Sequence, residues 1–269
     1  MRRVSDLGRV FAALRARLTA GDTLLVLSDY DGTLTPITRD PTDAWLPPEV
    51  RSDLDVLAGS DRVRVGIVSG RQLDDLRTRV GLPDVIYAGC HGLEIHGPAI
   101  AFRNAAADAR RGALNAVACD LRERVSSIPG VVVEPKGLAV AVHYRRAAPG
   151  SVRRLEAELD GMTGAATELT LLRGKKVFEI LPRIDWDKGR CALRIRDYVA
   201  STARSPVTTL YLGDDATDEL AFWALDGRAI TARVGGGPIS FAPNRLRDVE
   251  EVHRLLSGLA AEVQRRRVA

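Results

Sequence analysis

Two aspartates separated by one residue, in Asp29-Tyr30-Asp31-Gly32-Thr33, follow a short apolar run, T-L-L-V-L-S at 23–28. The run reads as a strand buried on both faces. Alternate residues on an extended chain face the same way, so both carboxylates converge at the strand's end. Like charges there repel and are stable only when a proton or cation relieves them. A hard divalent ion such as Mg²⁺, which takes carboxylate, carbonyl and water oxygens, suits the pair. A carboxylate so placed can also attack phosphorus and split a hard hydrolysis into two displacements. The second carboxyl is then placed to protonate the leaving oxygen and later to take a proton from water. An Asp-Gly turn after a strand is also common for local reasons alone, so this motif by itself leaves both readings open.

Three further groups lie at the ends of later strands. Ser69-Gly70-Arg71 follows V-R-V-G-I-V at 63–68 and offers a hydroxyl and backbone amides at a helix start, suited to phosphate oxygens. An N-capping serine is the plainer alternative. Gly213-Asp214-Asp215-Ala216-Thr217-Asp218 follows T-T-L-Y-L-G at 208–213 and can supply another metal ligand, although the same residues serve as ordinary helix caps. Trp186-Asp187-Lys188-Gly189 opens a helix with one of only four lysines, against 35 arginines. A cation early in a helix opposes the macrodipole, and balancing a phosphate and several carboxylates would account for it. His91 and Glu94 follow the strand expected at 84–89, where His91 reads equally as a substrate contact or a structural histidine.

The elements that must position these groups alternate. After the strand at 23–28 come a helix at 48–58, the strand at 63–68, a helix from about Arg71 to Val80 and the strand at 84–89. This βαβα order predicts a parallel sheet with helices on both faces, and such sheets bind ligands beyond the carboxyl ends of their strands. From about Asn104 the pattern changes to one long helix reaching Val125, strands at 131–134 and 138–145 joined by a Lys-Gly turn, a helix near 150–160, and strands near 167–172 and 176–181. The parallel pattern resumes with a helix from Lys188, the strand at 208–213, a helix near Asp218 and a strand at 229–234. The expected architecture is α/β, a Rossmann-like parallel-sheet core (residues 1–103 and 183–269) with an inserted smaller α/β cap (104–182).

Composition excludes more than it assigns. The 269 residues are 45% hydrophobic and 28% charged, with net charge +4, ordinary for a globular chain. No apolar run approaches the ~18 residues that suggest a membrane span. Met1-Arg2-Arg3 is followed not by an apolar signal core but by Val4, Leu7, Phe11, Leu14 and Leu18 at near-helical spacing. Basic residues are interspersed with acids, and Arg265-Arg266-Arg267 reads as a solvated or frayed tail, so neither nucleic acid nor membrane is an expected partner. Cys90, Cys119 and Cys191 form no framework and read as free buried thiols in a reducing compartment. A cytoplasmic monomer is expected.

The set D-Y-D-G-T-L, S-G-R, D-K-G and G-D-D-x-T-D resembles the haloacid dehalogenase-like phosphatases, and within them the trehalose-6-phosphate phosphatase family. The resemblance extends through G-C-H-G-L-E-I at 89–95, E-P-K-G-L-A-V-A-V-H-Y-R at 134–145, G-K-K-V-F-E-I at 174–180 and V-G-G-G-P at 234–238. It implies Mg²⁺-dependent hydrolysis of a small sugar phosphate through an aspartyl phosphate. Asp29 would be the nucleophile and Asp31 the general acid and base. Ser69 and Lys188 would hold the phosphate, with Arg71 and His91 toward the substrate. Asp214 would bind the metal with Asp29 and the backbone carbonyl of Asp31, and Asp215 and Asp218 would be supporting acids. Glu134, Lys136, Arg145, Lys175 and Glu179 fall where the family's cap grips sugar hydroxyls. A half-exposed sheet with a solvated face is the alternative for these five. Trehalose 6-phosphate is the implied substrate; sucrose phosphate, glucosylglycerol phosphate and a non-catalytic sugar-phosphate-binding role are the competitors.

Overall fold

The computed structural model describes residues 5–38, 40–237 and 239–268; Val4 and Pro238 lie outside the described residues. Along the chain, α1 (Leu7–Ala20) precedes β1 (Thr23–Ser28), α2 (Pro48–Ala58), β2 (Val63–Val68), α3 (Leu73–Val80) and β3 (Val85–Gly89). Two short strands follow, β4 (Glu94–Gly97) and β5 (Ile100–Arg103), then α4 (Ala105–Asp108) and α5 (Arg111–Val125). Next come β6 (Val132–Pro135), β7 (Val140–His143), α6 (Pro149–Ala165), β8 (Leu169–Arg173) and β9 (Val177–Pro182). The chain closes with α7 (Lys188–Thr202), β10 (Val207–Gly213), α8 (Ala216–Ala224), β11 (Ile230–Val234), β12 (Asn244–Leu246) and α9 (Val249–Val268).

Two compact units result, one of Met1–Phe102 with Trp186–Ala269 and the other of Arg103–Asp185. The first is built on an eight-stranded sheet ordered β12-β11-β10-β1-β2-β3-β4-β5. Strands from β12 to β3 are parallel, and β4 turns back antiparallel on β3. β1 lies centrally between β10 and β2 and is buried along its whole length. Leu24 and Val26 point to one apolar cluster, with α1, α2 and α9. Leu25 and Leu27 point to the other, with α7 and α8. This division is why the strand reads as a continuous apolar run rather than an alternating one.

The second unit is a four-stranded antiparallel sheet, ordered β6-β7-β9-β8. Val133, Val142 and Phe178 stand in register across it and join Leu114, Leu121, Leu155 and Leu159 of α5 and α6 in a core of their own. Glu134, Ala141 and Glu179, one residue along each strand, stand in register on the opposite face.

The structure departs from sequence expectation in four places. The helix expected from Asn104 to Val125 is two: the Asn104 side chain caps the single turn of α4, and Arg110, at φ −98° and ψ 4°, leaves helical geometry before α5. β4, β5 and β12 are only three or four residues long and too short to show periodicity. Arg265–Arg267 are solvated, as one reading had it, but they do not fray. They lie in the last turns of α9, where Arg266 donates to Glu262 and to Thr19 of α1. Of the cysteines, Cys90 and Cys191 are buried, but Cys119 is exposed on α5. Among the described residues, no helix is long and apolar enough to cross a membrane.

Candidate active site

β1 ends at Ser28, and Asp29 follows, its N–H on the carbonyl of Leu212 in β10. Its carboxylate is 5% exposed and accepts a hydrogen bond from Lys188 Nζ at 2.8 Å. Lys188 is the first residue of α7, and the Asp187 side chain caps that helix by accepting from the Arg190 N–H. The ammonium also meets Asp218 Oδ1 at 2.9 Å. Burial opposes its charge, but Asp218 and then Asp29 outweigh burial and hold its pKa above the ordinary lysine range. A lysine at a helix start is thus compensated by two buried carboxylates rather than by solvent.

Asp214 enters from the turn after β10, and Asp218 from the first turn of α8. Asp215 caps α8 and Asp218 answers it in a reciprocal capping box. Asp218 is wholly buried, and each of its oxygens is engaged twice. Oδ1 accepts from Lys188 and from Tyr211 Oη at 3.0 Å, and Oδ2 accepts from the N–H groups of Asp214 and Asp215 at 3.0 and 3.2 Å. Two glycines clear the space for these acids. A Cβ on Gly32, whose φ is +90°, would lie 2.3 Å from the Asp214 carboxylate, and one on Gly213 would lie 2.3 Å from the Asp218 carboxyl carbon.

One oxygen each from Asp29, Asp214 and Asp218 lies within 4.8 Å of the others. Burial pushes the Asp29 pKa well up; Lys188 opposes this, while Asp218, Asp214 and Asp215 reinforce it. Burial also works against charge on Asp215, but Lys188 and then hydrogen bonds from Thr217 and Asp218 hold its pKa well below the usual carboxylate range. Two carboxylates thus hold one ammonium, with Asp214 beside them, and all the donors are hard oxygens. That donor set fits a divalent cation of the Mg²⁺ type. Asp218 has spent its oxygens within the protein, so Asp29 and Asp214 are the better side-chain ligands.

The second aspartate of the motif is turned elsewhere. Asp31 accepts a two-pronged ion pair from Arg71, Nε to Oδ2 and Nη2 to Oδ1, both at 2.7 Å. Arg71 is 9% exposed and also donates to Asp75 and to the carbonyl of Pro41. Ser69, 2% exposed, is not the helix cap that was the alternative to a phosphate contact: α3 begins only at Leu73, and Ser69 Oγ accepts the Arg71 N–H at 3.2 Å. His91 donates its N–H to the Ser69 carbonyl. With Cys90 at φ 48°, His91 at φ 57° and Gly92 at φ 85°, three successive residues are left-handed, a costly arrangement for non-glycine residues that recurs at functional sites.

In the other unit, Lys136 and Glu179 form an ion pair at 2.8 Å, and both are buried (7% and 6% exposed). Glu134 is exposed and meets His143 Nε2 at 2.8 Å. Arg145 and Lys175 are also exposed, with the Arg145 guanidinium on the Lys175 carbonyl. The structure therefore gathers Asp29, Asp214, Asp218 and Lys188 at one point, pairs Asp31 with Arg71 close by in sequence to Ser69, and forms two separate pairs in the other unit, Lys136 with Glu179 and Glu134 with His143. Sequence reasoning missed Tyr211 and His143, and it named Asp218 only as a supporting acid. The Asp215-x-x-Asp218 spacing of a capping box was the available signal for Asp218, and strand alternation from Ala141 was that for His143.

The chain matches the family model described as trehalose-phosphatase over residues 27–243. Similar curated proteins include a trehalose-phosphate phosphatase of Mycobacterium tuberculosis, 41% identical over 198 residues, which are 73% of this chain and 50% of that protein. Another, from Mycobacterium avium, is 36% identical over 97% of this chain and 64% of its own length. The chain thus spans between half and two thirds of the length of these relatives. Among solved structures, a trehalose-6-phosphate phosphatase related protein superposes with a TM-score of 0.77 at 27% identity, covering 90% of this chain and 99% of the other. The matched span runs from β1 to the loop before β12 and so takes in every residue of the site: the chain belongs to the trehalose-phosphatase family.

Proposed function

We propose that the protein is a Mg²⁺-dependent phosphatase that hydrolyses trehalose 6-phosphate through an aspartyl phosphate on Asp29. The observation that carries this reading is the buried Asp29–Lys188 pair beside Asp214, in a chain of the trehalose-phosphatase family. In the first displacement an Asp29 oxygen attacks phosphorus, the bond to the sugar oxygen breaks, and Asp31 gives that oxygen a proton. In the second, Asp31 takes a proton from water, the water oxygen attacks phosphorus, and the bond to Asp29 breaks. Lys188 and Ser69 hold the phosphoryl oxygens, and the ammonium offsets their charge through both steps. Asp29, Asp214 and the Asp31 carbonyl would hold Mg²⁺, which supplies charge neutralisation for the transferring group.

We assign sugar recognition to Glu134, Lys136, Arg145, Lys175 and Glu179, with His91 toward the substrate. Burial of the Lys136–Glu179 pair favours this over a merely solvated face, because a buried ion pair needs a compensating role. The relatives named as trehalose-phosphate phosphatases support the sugar. Cysteines held outside any disulfide fit a cytoplasmic setting. The test is phosphate release from a panel of sugar phosphates with and without Mg²⁺. Selective, chelator-sensitive release from trehalose 6-phosphate is expected. Selective release from sucrose phosphate or glucosylglycerol phosphate would overturn the sugar and keep Asp29, and no release from any would leave a sugar-phosphate-binding protein.

A further inference from the structure

Arg71 sits in a motif where an arginine invites assignment to the substrate's phosphate. Four of its donors are otherwise engaged. A guanidinium has five N–H groups. Here Nε and one Nη2 hydrogen clasp the two Asp31 oxygens at 2.7 Å, the Pro41 carbonyl lies 2.9 Å from Nη2, and Nη1 reaches Asp75 Oδ2 at 2.9 Å. The fork that could grip an oxyanion is the one that grips Asp31.

The arginine is itself fixed. Asp75 is held by Arg79 through both oxygens at 2.8 Å, and Arg79 reaches the carbonyls of Thr42 and Ala44 at 3.1 Å. Tyr30 lies under the Arg71 guanidinium, 5.3 Å from carbon to ring centroid, and its own hydroxyl is tied to Ala44. The Arg71 side chain is 10% exposed while that of Asp31 is 38% exposed. One end of the pair is therefore built into the protein and the other faces outward.

We propose that Arg71 is the positioning residue of Asp31, setting the carboxyl plane from which Asp31 moves protons in both displacements, and that it is not a phosphate ligand. This rests on the phosphatase reading above. The last torsion of a free aspartate is broad and roughly two-fold, whereas proton transfer requires hydrogen-bond reach to a particular oxygen. A bidentate arginine occupies one lone-pair site on each carboxyl oxygen and leaves the others facing outward for the leaving oxygen or the water. Lysine offers a point charge and no fork, so it cannot reproduce the constraint.

The experiment compares kcat/KM for p-nitrophenyl phosphate and phenyl phosphate, both with Mg²⁺, in the wild type, Arg71→Lys, Asp31→Asn and the double variant. p-Nitrophenolate leaves without a proton, and phenolate benefits from one. Arg71→Lys is expected to leave p-nitrophenyl phosphate within about threefold and to slow phenyl phosphate by about 10–100-fold, the lower part of the range for a general acid. In the Asp31→Asn background the same change should add less than about twofold, because groups acting as a unit are non-additive. Arg71→Gln, with melting temperature as a check, serves if the lysine variant does not fold. Equal slowing of both esters with a raised KM would make Arg71 a phosphate ligand and overturn the proposal, as would full additivity with Asp31→Asn or no change in the ester ratio. Absence of Mg²⁺-dependent release in the wild type would instead refute the phosphatase reading.

Discussion

Replacing Gly32 by alanine is the sharpest test of how the carboxylates we assign to the metal are placed. A Cβ there would stand 2.3 Å from Asp214 Oδ2, 2.5 Å from Cγ and 2.8 Å from Oδ1, where ordinary contact begins at 3.4 Å. The Asp214 carboxylate must therefore withdraw by about 1 Å, whereas ligand distances in a metal site are good to about ±0.2 Å. The displacement exceeds the tolerance about fivefold, so Asp214 ceases to be a ligand in its present place. Loss of a partner that merely orients a ligand costs about 10–100-fold in affinity, and displacing the ligand belongs at the upper end, about 100-fold. The positive φ adds a separate cost to folding of about 1–2 kcal/mol. Mg²⁺ titration by calorimetry reads the first effect, and urea unfolding without metal reads the second. A folded Gly32→Ala protein that binds Mg²⁺ as the wild type does would refute the reasoning, and so would a structure of it with Asp214 unmoved.

Asp29→Asn should abolish turnover while leaving the fold intact, which circular dichroism and phosphate release together check; near-normal activity would remove Asp29 as nucleophile. Lys188→Met leaves buried Asp29 and Asp218 without their shared ammonium, and breaking such a cluster costs about 3–5 kcal/mol, measurable as a fall in the urea midpoint at pH 7. With the Lys188 pKa above its ordinary value, the stability this ammonium contributes is fully present below about pH 10 and is lost as pH rises through the higher folded value. In that alkaline window the midpoints of wild type and Lys188→Met should converge. At the acid end, burial works against charge on Asp75, but hydrogen bonds from Arg79 and Arg71 lower its pKa overall. Its contribution is therefore present above about pH 4 and lost as pH falls through the folded value, so the stability gap between wild type and Asp75→Asn should shrink there. Glu179→Gln, which removes the charge 2.8 Å from buried Lys136, should raise KM for the sugar phosphate while leaving p-nitrophenyl phosphate turnover within about twofold, since weakening this ion pair penalises recognition rather than proton transfer.

The parallel sheet was legible because its strands are buried on both faces: T-L-L-V-L-S and V-R-V-G-I-V announce themselves without alternation. Asp29, Asp214 and Lys188 could be read because each follows such a run or opens the next helix. What escaped were relations between distant residues. Nothing local says that Asp31 will face an arginine forty positions on, or that Tyr211 will share Asp218 with Lys188. Ser69 had a cap as its plainer alternative because helix starts are judged by composition, and the chain in fact runs three residues further before α3 begins. β12 was invisible for a different reason: at three residues it carries no period, and only its parallel register with Ala232–Val234 makes it a strand.

The central place of β1 has a consequence for how the molecule is made. Its neighbour β2 is synthesised soon after it, but Thr23 pairs on its other side with Val207, 184 positions later. At roughly 5–20 residues per second, ribosomal elongation leaves that apolar edge without its partner for about 10–40 s. The strand destined for the middle of the sheet thus begins life as an open border, the kind of backbone template that recruits other chains. Meanwhile residues 103–185, which hold their own apolar core, have what they need to fold first. Slow decoding within the inserted unit should therefore aggravate aggregation more than the same delay after Gly213, when the border has already closed.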